Sequence, residues 1–242
     1  MTKFKKQHFV ALIFIALLAV GLIAPFTFLP VQVKAPEQVV ETPKKTQKII
    51  KVVEQPLHNV TLPDFANIRD VKEKKRQFFA FIKPAVLAEN TKILAMRTEV
   101  EGLIAQLTLE QPFSDEDHAL VARLIKQYRV SKKFSLLRQL YELQLKIDII
   151  PPALVLVQAA NESAWGTSRF ARIGLNFFGV WCYKKGCGMV PSGRNVGAKH
   201  EVAAYSSVEQ GVARYIKNIN TNSAYVVFRT IRGQLREQDQ IL

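Results

Sequence analysis

Only two cysteines occur in 242 residues, which excludes a disulfide-dense mini-scaffold and a Cys-rich zinc fold. Glycine and proline, 11 each, are too sparse for a collagen-like or low-complexity chain. Acidic residues are short too: 20 Asp and Glu stand against 34 Lys and Arg, a net charge of +14. What is present is apolar. At 48% hydrophobic the chain is not wholly disordered, and its length fits one ordinary domain with attachments. The basic excess is densest in residues 151–242, which hold 11 basic and five acidic side chains. Such a surface steers anionic partners such as nucleic acid, acidic lipid or an anionic polysaccharide, and composition does not choose among them. No repeat of 20–50 residues stands out.

Charge is missing altogether from Phe9 to Pro30, directly after Lys3, Lys5 and Lys6. A spanning helix needs ~20 apolar residues, and this run has 22. It is expected to be a transmembrane anchor or a signal peptide, the anchor being favoured because the nearest small-residue cleavage pattern, Val33-Lys34-Ala35, is followed by Pro36. The positive-inside rule keeps residues 1–8 in the cytoplasm and sends the remainder out. Residues 31–63 are rich in proline and lack Phe, Trp and Tyr, so they read as an extended tether.

From Asp64 to Ile147 the pattern is helical, a neck ahead of a domain at 148–242. Phe65, Ile68, Val71, Phe78, Phe79 and Ile82 give a first helix, which Pro84 is expected to break or kink. Asn90 or Thr91 then caps a second, Ser114 with Asp117 opens a third, and Ser135–Ile147 forms a fourth.

Pro151 and Pro152 suit the first turn of a further helix, apolar almost all round and therefore expected to be buried, which Gly166 can end. Gln158, Glu162 and Trp165 share one face of it at helical spacing. Partial desolvation, an apolar wall from Trp165 and the negative helix end would all raise the Glu162 pKa. A carboxyl kept protonated in this way can donate a proton to a glycosidic oxygen. The plainer alternative is a Glu in a last helical turn that simply reaches water.

The word Asn161-Glu162-Ser163-Ala164-Trp165-Gly166-Thr167-Ser168, followed by Gly174-Leu175-Asn176-Phe177-Phe178-Gly179-Val180-Trp181, resembles the glucosaminidase domain of glycoside hydrolase family 73. The resemblance covers roughly residues 148–242. It implies a mainly α-helical, lysozyme-like fold with a small β-hairpin, and cleavage of peptidoglycan after N-acetylglucosamine by an endo-β-N-acetylglucosaminidase. It implies Glu162 as general acid and no metal or cofactor. Gln158, Trp165, Asn176, Trp181, Tyr205 and Tyr225 become candidate substrate-binding residues, although Tyr205 and Tyr225 equally suit core positions. Such family domains usually continue with a Tyr-containing segment, whereas this sequence stops at Ile241-Leu242. Peptidoglycan strands would be the partner, with the membrane through residues 9–30 and no nucleic acid. The domain would then sit on the inner membrane facing the periplasm, or in the periplasm or wall if the signal is cleaved.

Five acidic residues follow position 150. Ser206-Ser207-Val208-Glu209 reads as a capping box, and Glu237 and Asp239 stand at the chain end. Glu201, at the exit of the hairpin, is left as a candidate second carboxylate. Assistance by the 2-acetamido group of the sugar would need none. Cys182 and Cys187 enclose a short loop in which a disulfide is plausible outside the cytoplasm. His200 alone does not complete a metal site with them, and a Cys–His amidase would want a helix-start cysteine. A lytic transglycosylase is the nearest other enzyme, but Gly174-Leu175-Asn176-Phe177 stands where its G-L-M-Q word is expected. A wall-binding or morphogenetic protein without turnover is the non-enzyme alternative.

Overall fold

The computed structural model describes residues 54–195, 197–238 and 240. The expected anchor (9–30), its basic flank and the tether up to residue 53 lie outside them. Among the described residues no helix is long and apolar enough to cross a membrane.

Helix α1 spans Val71–Thr108, with Asp70 as its N-cap, accepting from the Glu73 amide at 2.7 Å. Pro84 does not break the helix, which continues through it as 38 residues, roughly 57 Å along its length. Pro84 faces solvent, and its missing N–H is outweighed by burial of Phe78, Ile82, Ala85 and Val86 on the opposite face. Asn90 is therefore no cap. It is buried inside α1 and clamps the backbone of Ile150 with both ends of its amide. Residues before Asp70 are not helical either, although Phe65 is fully buried.

Helices α2 (Asp115–Tyr128) and α3 (Leu136–Lys146) follow, α2 opening on the expected Ser114–Asp117 capping box. After α4 (Pro152–Glu162) come α5 (Arg169–Gly174), β1 (Trp181–Cys182), β2 (Gly188–Met189), β3 (Glu201–Ala203) and α6 (Val208–Thr221). A 3-10 turn at Ser223–Tyr225 leads into α7 (Val226–Glu237). The cap of α6 is one residue later than the sequence suggests. Ser207 accepts from Gln210, and Gln210 accepts in return from Ser206, so Glu209 is only an exposed neighbour.

The small sheet has three strands, not the two of a hairpin. β3 lies between β1 and β2 and is antiparallel to both, with Cys182 opposite Glu201 and Gly188 opposite Ala203. The Glu201 carboxylate draws β3 into that gap by accepting the Gly186 and Gly188 amides at 3.0 and 2.9 Å.

One buried apolar cluster joins α1 to α4 and α6, from Phe65 through Leu140 to Ile219. The stretch read as a neck therefore shares its core with the stretch read as a domain. Just before α4 the chain is pinned from several sides. Asp148 is buried and paired with Arg97, Arg232 and Arg236, while Arg232 and Asn220 also hold its backbone carbonyl. Burial pulls the Arg232 guanidinium down to about 10, and the Asp148 charge opposes that pull. A cleft of about 440 Å³ opens around this knot, lined by Arg97, Arg138, Asp148 and Arg236. It is at the N-terminal approach to α4, away from Glu162.

Candidate active site

Fixing the start of α4 fixes its end, where Glu162 is the last helical residue and solvent-exposed. The helix is not buried all round: Val155, Ala159 and Ala160 face the core, while Leu154 and Val157 are exposed along the open face. The desolvation expected for Glu162 is thus not supplied by the free chain.

Nor is the expected Trp165 wall. Helical spacing ends at Glu162, and Ala164, Trp165 and Gly166 all adopt left-handed backbone, at φ 50°, 58° and 78°. Two such non-glycine residues in sequence store strain, on the order of 1 kcal/mol or more each. The turn is held by the Ser163 hydroxyl, which accepts from the Gly166 amide at 2.8 Å, and by Phe65 beneath Gly166, where a Cβ would stand 2.5 Å from the ring. Its consequence is that Trp165 swings onto α1, edge-on to Phe78 and Phe79, with the Lys75 ammonium 5.2 Å from its ring centre.

Glu162 is instead framed by other groups. Gln158, one turn back, donates its amide to Glu162 Oε1 at 2.8 Å. Oε2 faces Gly179, whose position would put a Cβ 3.5 Å away. Gly179 is brought there by Asn176. That side chain is buried and makes four internal hydrogen bonds, accepting from the Phe178 and Val180 amides and donating to the Val180 and Ala203 carbonyls. Asn176 is therefore corrected from a substrate-binding residue to the knot that shapes the loop, because its hydrogen-bonding capacity is filled.

Phe178 stacks face to face on Tyr215 of α6, centroids 4.2 Å apart. Burial pushes the Tyr215 hydroxyl up to about 12, and the nearby charges of Tyr225 and Glu162 would add to the rise. Tyr215, Tyr225 and Glu162 thus form one neighbourhood. Tyr215 was invisible to sequence reasoning, since it recurs with Val208, Val212, Ile216 and Ile219 as an ordinary buried helix face. Phe177, by contrast, is fully buried in the core.

Trp181 is exposed on β1, two residues beyond Gly179, with its edge toward His200. Tyr205 does not present its hydroxyl to a groove. That oxygen is buried without a hydrogen-bond partner among the described residues, the ring lies over Gly211, and burial pushes its pKa up to about 12.

Glu201 is buried in β3 with both oxygens taken by backbone amides. The Gly186 amide chiefly, with Gly188, Cys187 and the Arg194 charge, holds its carboxyl below the ordinary Glu range against the opposing effect of burial. A buried carboxylate occupied in this way is a clamp on the loop and not a base poised for water. Cys182 and Cys187 are disulfide-bonded. Their sulfurs lie within 4.8 Å of the Glu201 carboxylate, but bonded sulfurs and amide-bound oxygens are no ligand set for a metal.

This geometry coincides with a family assignment. Residues 138–240 match the glucosaminidase family, described as mannosyl-glycoprotein endo-beta-N-acetylglucosaminidase, so the chain carries a glycosidase-type domain that begins within α3. Among individual proteins, it is 33% identical over 181 residues to Protein bax of Escherichia coli (strain K12), covering 74% of this chain and 63% of that one. The chain is a Bax-like protein with a glucosaminidase-family domain. It spans less than two thirds of the length of this curated relative. No solved structure matches it.

Proposed function

We propose that this domain is an endo-β-N-acetylglucosaminidase of peptidoglycan with Glu162 as its general acid. The observation that carries the reading is the setting of Glu162: an exposed carboxyl at the end of a pinned helix, tethered on one oxygen by Gln158 and facing Gly179 with the other. It falls within the matched family region.

In the proposed reaction Glu162 gives its proton to the glycosidic oxygen as the C1–O bond breaks. The 2-acetamido oxygen of the sugar attacks C1 and carries the developing charge as an oxazolinium. Glu162, now a carboxylate, takes a proton from the water that reopens this ring. Self-assistance by the substrate is favoured because Glu201 is committed to the Gly186 and Gly188 amides. The bound glycan would itself exclude water from Glu162 and supply the desolvation that the free chain lacks. In this reading Tyr215 and Tyr225 orient the acetamido group, and Trp181 offers an exposed ring for a sugar face.

We further propose that residues 9–30 anchor the protein in the inner membrane with this domain in the periplasm. The Cys182–Cys187 bond suits an oxidising compartment.

The test is mass spectrometry of fragments released from purified peptidoglycan by the full chain and by Glu162→Gln. Reducing N-acetylglucosamine ends from the wild type, lost in the variant, are expected. Anhydro-muramic ends would mean a transglycosylase instead. Binding without any release would mean a wall-binding protein.

A further inference from the structure

Residues 183–200 carry Lys184, Lys185, Arg194, Lys199 and His200 and not one acid. The three lysines are exposed, and among the described residues none of them has a carboxylate within ion-pair distance. Glu201, adjoining in sequence, is no surface counter-ion, being buried with its oxygens on the Gly186 and Gly188 amides. Beside Lys184 and Lys185 stand two exposed rings, Tyr183 at 79% and Trp181 at 45% exposure.

This cationic, aromatic finger is also held rigidly. The disulfide closes its base, the Cys187 amide donates back to the Lys184 carbonyl, and Glu201 fastens its far side. Lysines that served solubility alone would need no such fixation. The finger grows from β1, whose chain comes directly from Gly179 beside Glu162. The finger and the candidate acid are thus joined by a short stretch of chain, Gly179 to Cys182.

We infer that the finger recognises the carboxylates of peptide branches on the glycan, so that peptide-bearing strands are preferred over naked ones. The inference rests on the glucosaminidase reading and names the determinant of its substrate choice. A bare N-acetylglucosamine polymer offers the rings something to stack on but offers the lysines nothing. A strand with an acidic peptide on alternate sugars satisfies both, and a preorganised cationic loop loses little conformational freedom on binding it.

The experiment uses the full chain in detergent, with intact peptidoglycan and with the same strands stripped of peptides by an amidase. Two readouts are taken: the ratio of kcat/KM on the two substrates, and co-sedimentation of the Glu162→Gln protein with each. Lys184→Glu/Lys185→Glu should lower the preference for peptide-bearing strands about tenfold at low salt, as expected for two exposed charge contacts reversed. Lys184→Ala/Lys185→Ala should lower it less, with an unchanged melting temperature to show that the loop is intact. Equal binding of both strands by the unmodified finger, or a preference that survives charge reversal, overturns the inference. So does a charge-reversed protein that loses binding to anionic phospholipid vesicles but not to peptide-bearing strands, since the finger would then be a membrane contact. If neither strand is cleaved, the glucosaminidase reading fails while sedimentation still decides this one.

Discussion

Glu162 and Gln158 form a pair in which one side chain acts through the other. Glu162→Gln is nearly isosteric, so α4 should stand and glycan binding should persist. Turnover should fall by ~10²–10⁴, measured as release of reducing ends. Gln158→Ala removes the hydrogen bond that Gln158 gives to Oε1, which should lower kcat by about fivefold with little change in KM. Tyr215→Phe keeps the stack on Phe178 and deletes only a hydroxyl. A fall in activity at unchanged melting temperature would make that hydroxyl part of the chemistry. Glu162 was legible as a candidate acid through the words around it, Asn161 to Ser168 and then Gly174 to Trp181, and not through its helix end alone. Tyr215 was not, because a buried face at helical spacing looks the same whether or not a carboxyl lies beside it. Asn176 and Glu201 show a related limit: a sequence displays hydrogen-bonding capacity but not whether the backbone has already filled it.

The elements matter here through how their ends are fixed. Helix α4 begins at the Asp148 knot and ends in a left-handed turn, so its two ends are set by opposite kinds of interaction. Asp148→Asn leaves Arg232 buried without its counter-charge, which should cost ~3–5 kcal/mol and show as a large drop in melting temperature. The sheet is held differently, by a disulfide and a carboxylate. Cys187→Ser opens a six-residue loop and should cost about 2 kcal/mol by loop closure. The Glu201 clamp is pH-dependent. Its carboxyl is held below the ordinary Glu range, so its contribution is complete above the unfolded Glu pKa of ~4.3 and is lost as pH falls through the lower folded value. The protection of the Gly186 and Gly188 amides against exchange, relative to the free-peptide rate at each pH, should fall over that acid window and stay constant above it. Helix α1 is where local rules failed. Pro84 is a strong breaker in isolation, but its solvent-facing position and the buried side chains behind it are tertiary facts that no local pattern carries.

At the scale of the molecule, the proposed export of the domain past the uncharged Phe9–Pro30 run has a direct test. A reporter that matures only in an oxidising compartment, fused after Leu242, should be active; a cytoplasmic signal there would refute the proposed topology. The helical class was readable from spacing alone, whereas the sharing of one core by residues on both sides of position 148 was not, since contacts between distant helices leave no mark on either. One consequence concerns the segment that leaves the tether. Glu54 pairs with Arg169, the Leu57 amide donates to the Ile173 carbonyl, and Phe65 lies under Gly166, so the chain is stitched beneath the turn that follows Glu162. Shortening the protein from its N-terminus should therefore give a threshold in place of a gradual decline. Cuts that pass residue 54 should begin to lower the melting temperature, each undoing one stitch on the way to Phe65. Removal of Phe65 itself should uncover the strained turn, so that a residue just past the tether is also a foundation of the candidate site.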